Sequence, residues 1–177
     1  VSASTILAND DAGTSVNGYT GGTAFTNILI NDTLNGVAVI PSEVTTTFVS
    51  STNAGVTLSG TNVIVAPGTP AGNYTLTYSI CEVLNPLNCD TAVVTVPVHS
   101  ASIDAVNDAG TSVNGYTGGT AFTNVLINDT LNGVAVIPSE VTTTFVSSTN
   151  AGITLSGTNV IVAPGTPAGN YTLTYSI

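Results

Sequence analysis

The residues able to do chemistry are few and of one sign. The 177-residue chain carries ten carboxylates, one histidine, two cysteines and neither lysine nor arginine, for a formal charge of −10 at pH 7. Acidic and amide side chains gather in two neighbourhoods, Asn9, Asp10 and Asp11 near the start and Asp104, Asn107 and Asp108 near the middle. Asp32 and Asp129 lie in two NDT segments. Oxygen-only donor sets of this kind suit calcium, and their positions suggest that the ion would sit where modules join. The two sets are not equivalent, since Leu7 stands where the later one has Asp104. The plainer reading is solvated carboxylates, with Asn side chains capping turns.

Cys81 and Cys89 bracket the segment EVLNPLN. That spacing allows one disulfide to close a hairpin loop, which calls for an oxidising compartment. Two cysteines alone cannot complete a structural zinc site. A nucleophilic thiol has no support, because only His99 could offer positive charge to a thiolate. There is no Ser-His-Asp set, no phosphate-cradling glycine loop before a helix and no histidine cluster. GYTGG at 18–22 reads as a turn. Glu43 and Glu140 occupy equivalent places beside Pro-Ser and do not suggest a glycosidase pair. The chain therefore reads as non-catalytic, with no required cofactor.

A chain without cations repels phosphate, so nucleic acid is excluded as a partner and anionic membrane surfaces are disfavoured. Its apolar runs are far shorter than the roughly 20 residues of a spanning helix, so it is not expected to be membrane-embedded. Lysine-dependent isopeptide cross-links are unavailable to it.

The elements that position these residues are set by a repeat. Residues 11–80 match 108–177 at 68 of 70 positions, differing only at Ile28/Val125 and Val56/Ile153, with a period of 97. That length suits one independently folding sandwich rather than a solenoid unit. The expected modules are 1–101 and 102–177. The second has no counterpart of CEVLNPLNCDTAVVTVPV at 81–98 and is expected to lack its last strand. Such an edge would continue in further sequence or accept a strand from a neighbouring molecule.

Within a module, NYTLTYSI at 73–80 alternates, placing Tyr74, Leu76, Tyr78 and Ile80 on one face. TAVVTVPV at 91–98 reads likewise, with Pro97 marking an edge or terminal position. GVTL and VIVA form a hairpin through SGTN. TAFTNILI at 23–30, GVAVI at 36–40 and EVTTTFVS at 43–50 bring the count to about seven short strands. The prediction is all-β, two packed antiparallel sheets per module. The Thr rows at 45–47 and 142–144 read as outward-facing strand residues rather than an ice- or sugar-binding face.

DAVNDAGTSVNGYTGGTAFTNVLINDTLNG at 104–133 and VAPGTPAGNYTLTYSICEVLNPLNCDTAVVTVPV at 65–98 resemble the immunoglobulin-like repeats of giant Bacteroidetes cell-surface adhesins. The resemblance implies type IX export, a place at the bacterial cell surface, and service in attachment, gliding or filament formation. It implies Asp-Thr-apolar O-glycosylation at Thr33, Thr91 and Thr130. AGNYTLTY further resembles the immunoglobulin-like strand whose tyrosine braces a corner, a role that would fall to Tyr74 and Tyr171. The spacing of Cys81 from Tyr74 does not fit the inter-sheet disulfide of antibody domains, so the bridge is expected to be local. The function expected is a structural spacer giving length and stiffness, partnered by neighbouring repeats and by copies of itself in a filament. The alternatives are a ligand-binding adhesin module or a fibre subunit polymerising by strand donation.

Overall fold

Strand-forming residues in short runs, cut by Gly, Pro and Asn, leave little room for helix, and the computed structural model is all-β. It describes residue 2 and residues 4–177, and the chain divides into two compact units, Val1–Ala101 and Ser102–Ile177.

The first unit runs β1 (Ile6–Leu7), β2 (Asp11–Ala12), β3 (Val16–Asn17), β4 (Gly22–Phe25), β5 (Thr33–Leu34), β6 (Val37–Ala38), β7 (Val44–Ser51), β8 (Val56–Ser59), β9 (Asn62–Val65), β10 (Gly72–Glu82) and β11 (Cys89–His99). One turn of 3-10 helix at Pro41–Glu43 precedes β7. The largest sheet has the order β2-β11-β10-β7, with β3 also on β11. A three-stranded sheet, β4-β9-β8, supplies the opposing wall, and β1-β5-β6 forms a small third sheet.

The alternation on β10 and β11 sends Leu76, Tyr78, Ile80, Ala92, Val94, Val96 and Val98 inward. There they meet Ala24, Val56, Val63 and Val65 from the opposing sheet. Burying this set supplies the main driving force, about 1.5–3 kcal/mol for each large apolar side chain taken from water. The β10–β11 hairpin is in register from Gly72↔Val98 to Cys81↔Cys89. The disulfide joins the last of these pairs, so the bridge is local.

Several elements differ from the sequence expectation. The strand expected over 23–30 stops at Phe25, because Asn27 takes a left-handed φ of 58° and turns the chain. Ile28 and Leu29 are buried from that turn rather than from a strand. The segment 36–40 pairs only at Val37–Ala38. The described residues of this unit form eleven strands, five of them two residues long, in place of about seven. The main sheet is mixed, since β2 and β3 run parallel to β11. β11 is consequently an interior strand. Pro97 is tolerated there because it lies near the strand end, between the β2 pairing at Thr95 and the β3 pairing at Val98.

The second unit contains β12 (Ile103–Asp104), β13 (Gly119–Phe122), β14 (Thr130–Leu131), β15 (Val134–Ala135), β16 (Thr144–Ser148), β17 (Ile153–Ser156), β18 (Asn159–Val162) and β19 (Leu173–Ser176). Its sheets are β12-β14-β15, β13-β18-β17 and β16-β19. The three-stranded sheets reproduce those of the first unit. The main sheet is reduced to a pair.

Candidate functional site

The most densely connected polar group in the first unit is the hydroxyl of Tyr78. Strand alternation drives this tyrosine into the core, where it is fully buried, and a buried phenol needs a hydrogen-bond partner. Two separate segments, residues 9–11 and 28–32, bring oxygens to it. The Ile28 carbonyl lies at 3.0 Å, the two Asp32 oxygens at 3.1 and 3.2 Å, the Asn9 carbonyl at 3.2 Å and Asp11 Oδ2 at 3.4 Å. The hydroxyl has one proton to donate, so most of these acceptors face one another without a hydrogen between them. Asp32 receives a further hydrogen bond from the Asn9 N–H at 2.8 Å.

The electrostatic consequence is direct. Asp11 and Asp32 are both buried, and the chain has no lysine or arginine to neutralise them. Burial first, and then the neighbouring Asp32 charge, push the Asp11 carboxyl up from its ordinary 3.8 to about 6. Burial also raises Asp32, against the opposing pull of the Asn9 hydrogen bond. Tyr78 is pushed upward by burial and by both carboxylates, and so stays protonated as the donor.

The second unit repeats the arrangement. Tyr175 donates within a shell of the Val125 carbonyl at 2.9 Å, both Asp129 oxygens at 3.2 Å, the Val106 carbonyl and Asp108 Oδ2, each at 3.3 Å. Asp129 accepts from the Val106 N–H at 2.7 Å. Burial raises Asp108, as does the Asp129 charge.

Of the acidic residues singled out in the sequence, the structure thus joins Asp11 with Asp32 in one unit and Asp108 with Asp129 in the other. Asp10 is exposed, and its Oδ1 accepts from the Val93 N–H of β11 at 2.8 Å. Asn107, its counterpart, is exposed and accepts through its carbonyl from Asn128 at 3.2 Å. Asp104 is exposed on β12, opposite Thr130. Asp32 and Asp129 are wholly buried, which overturns the plainer picture of solvated carboxylates for those two. Among the described residues, no three or more His, Cys, Asp or Glu side chains form a group able to hold a metal ion. Of the threonines, Thr91 is exposed on β11, while Thr33 and Thr130 are half-buried.

Sequence reasoning placed Tyr78 on the inward face but did not see its hydroxyl as a hub. The readable signal was a tyrosine at a core position in a chain without cations, with Asp-bearing loops in both repeats. Tyr74 and Tyr171 do brace corners, donating to the carbonyls of Pro70 and Pro167 at 2.9 Å. A further pair not foreseen is Ser15 Oγ with His99 Nδ1 at 2.9 Å, both side chains exposed.

No protein-family model and no curated protein matches the chain. Among solved structures it is similar to extracellular cadherin domains 1–4 of protocadherin gamma B7, at TM-score 0.40 and 11% identity, covering 92% of this chain and 41% of that one. The human desmocollin-1 ectodomain gives TM-score 0.39 and 10% identity over 92% of this chain and 34% of that chain. Domains EC1–3 of mouse protocadherin-24 give TM-score 0.34 and 16% identity over 92% and 57%. The chain thus spans less than half the length of the first two and somewhat over half of the third. At this level of similarity no residue role or activity is carried over from them.

Proposed function

We propose that the chain is a structural spacer, a pair of adjoining modules from the stalk of an extracellular surface adhesin or filament, whose contribution is length and stiffness. The observation that carries this reading is the repetition of one sequence at near-identity, with two of its three-stranded sheets and the same tyrosine-centred knot tying three segments together in each copy. A rod assembled from such modules gains reach, because folded segments do not coil back as a flexible chain does. The local disulfide fits an oxidising exterior. Among the described residues no helix is long and apolar enough to cross a membrane.

The residue resemblance to Bacteroidetes adhesin repeats supports a bacterial cell surface as the location, with neighbouring repeats as partners. On the same reading Thr33, Thr91 and Thr130 carry O-glycans, most accessibly at Thr91. Calcium is the stiffening ion of the proposal, drawn to Asp10, Asp11 and Asp32 in the first unit and to Asp104, Asn107, Asp108 and Asp129 in the second. What supports it is the juxtaposition of the buried Asp11 and Asp32 in the first unit, and of the half-buried Asp108 with the buried Asp129 in the second, in a chain without lysine or arginine; backbone carbonyls and water would complete the shell.

Glycan-array and cell-adhesion assays on the purified chain test the spacer role. Absence of saturable binding is expected, and a saturable ligand would replace this reading with a binding module. Melting with and without a chelator tests calcium, and an unchanged midpoint removes the ion from the proposal.

A further inference from the structure

Four Asn-Gly pairs occur in the chain, Asn17-Gly18, Asn35-Gly36, Asn114-Gly115 and Asn132-Gly133. Such a pair carries its own reactants. The glycine amide nitrogen can attack the side-chain carbonyl carbon of the asparagine, and no Cβ on the glycine shields the approach. The fold decides whether the two groups can meet, and the first unit holds its two pairs very differently.

Asn35 and Gly36 are the central residues of the turn that joins β5 to β6. Both are left-handed, with φ of 54° and 75°, as a two-residue hairpin turn requires. Both are exposed, and a Cβ added at Gly36 would meet nothing within 4 Å. Among the described residues no acceptor takes the Gly36 N–H. Little holds the turn closed. β5 is joined to β6 by two residue pairs and to β1 by two more. The Thr5 N–H donates to Asn35 Oδ1 at 3.0 Å, and the Asn35 N–H donates to the Thr5 carbonyl at 2.7 Å. The second unit repeats this turn at Asn132 and Gly133, with φ of 52° and 73° and with Ser102 in the place of Thr5.

Asn17-Gly18 is the opposite case. Gly18 is buried, and its N–H donates to the His99 carbonyl at 2.9 Å. Asn17 Oδ1 accepts from the Tyr19 N–H at 2.9 Å. Freeing the Gly18 nitrogen means lifting β3 from β11, whose side chains form one wall of the core.

We infer that Asn35 and Asn132 are sites of self-modification, where the chain converts asparagine to aspartate and isoaspartate through a cyclic imide. Hydroxide removes the Gly36 amide proton, the nitrogen bonds to Asn35 Cγ, and the Cγ–Nδ2 bond breaks as ammonia leaves with a proton from water. Water then opens the imide at either carbonyl. One opening restores the main chain with a carboxylate on the side chain. The other routes the main chain through Cγ, one carbon longer, and leaves the former backbone carbonyl as the carboxylate. The attack requires Asn35 to leave its left-handed turn, so the rate follows the fraction of time this small hairpin is open. The longer product no longer fits a two-residue turn, and its formation loosens β6 and the hold on Thr5. Each event also adds one negative charge to a chain already at −10. None of this depends on the spacer role.

The test incubates the whole chain in mildly alkaline buffer and follows peptic peptides by mass spectrometry. Conversion is read as the mass change of exchanging ammonia for water, divided between two products of equal mass that separate on chromatography. Asn35 and Asn132 are expected to convert at similar rates, and Asn17 at least about tenfold more slowly, because its opening costs more. In urea the difference between Asn17 and Asn35 is expected to disappear, which assigns it to the fold rather than to neighbouring residues. Asn35→Gln is expected to abolish the mass change in its own peptide and to leave Asn132 unaffected. Asn17 converting as fast as Asn35 in the folded chain would overturn the inference. So would conversion of Asn35 in urea alone, or a mass change that persists in the Asn35→Gln peptide.

Discussion

Tyr78 shows how one hydroxyl can organise loops that lie far apart in sequence. Its removal by Tyr78→Phe leaves buried acceptors without their shared donor, and the expected cost is about 1–3 kcal/mol. Tyr175→Phe should cost less, because Tyr175 is half-exposed and water can replace the lost hydrogen bond. Urea unfolding followed separately for each unit checks this, and equal costs would remove the knot from the account. The raised Asp11 makes a second prediction. A carboxyl whose folded pKa lies above its unfolded value favours the folded state when protonated. Its contribution is therefore full below about pH 4 and is lost as pH rises through about 6. Asp32 acts in the same direction. Glu82 acts oppositely: the hydrogen bond from Asn88 lowers its pKa, so its contribution disappears on acidification below its ordinary 4.5. Stability of the first unit should accordingly rise as pH falls from 7 towards 5. Asp11→Asn should flatten that slope and raise stability at pH 7 by about 1–3 kcal/mol, the range a two-unit shift allows before screening. A pH-independent midpoint in the parent chain would contradict the assignment.

The hairpin of β10 and β11 is the element on which the first unit is built, and its neighbours approach it closely. Gly18 illustrates the tolerance. Its N–H donates to the His99 carbonyl at 2.9 Å and its carbonyl accepts from Gly68 at 2.8 Å. A Cβ there would overlap the Thr69 carbonyl oxygen and come within 2.7 Å of Val98 Cγ1. Gly18→Ala is expected to destabilise by about 2–3 kcal/mol through overpacking. Gly115→Ala, which meets Thr166 but no strand equivalent to β11, should be milder. Thermal melting of the two variants checks the ordering. Much of this element was legible beforehand: alternation in NYTLTYSI and TAVVTVPV places the right faces inward, and the cysteine spacing places a bridge that the register of Cys81 with Cys89 explains. Less legible was TAFTNILI, where apolar content suggests a strand but Asn27 adopts a left-handed backbone and Ile28 is buried from a turn. Burial alone does not report backbone conformation. The parallel pairing of β2 and β3 with β11 was equally hidden, since two-residue strands are too short to show a period. The tyrosine knot escaped because it joins β10 to oxygens from two other segments, 9–11 and 28–32, whose meeting depends on that pairing.

At the scale of the whole chain, two nearly identical sequences hold very different amounts of core. The described residues of the first unit bury sixteen apolar side chains, whereas those of the second bury four, Val125, Leu126, Leu131 and Ile153. The substitutions between the copies, Ile28/Val125 and Val56/Ile153, conserve apolar character and cannot account for this. The difference follows from β11, whose side chains cover one wall of the first core and whose backbone holds β2 and β3 in place. Each large apolar side chain left half in water forgoes on the order of 1 kcal/mol of transfer free energy, and domains stand only about 5–15 kcal/mol above unfolding. The two units should therefore unfold in separate steps as denaturant rises, the second unit first. Amides of Thr144–Ser148 and Leu173–Ser176 should exchange well before those of Gly72–Glu82 and Cys89–His99. Mass spectrometry of exchange across a denaturant series separates the outcomes. If all four strands lose protection together in one transition, then the first unit's closed core confers no extra stability and β11 is not what distinguishes the copies.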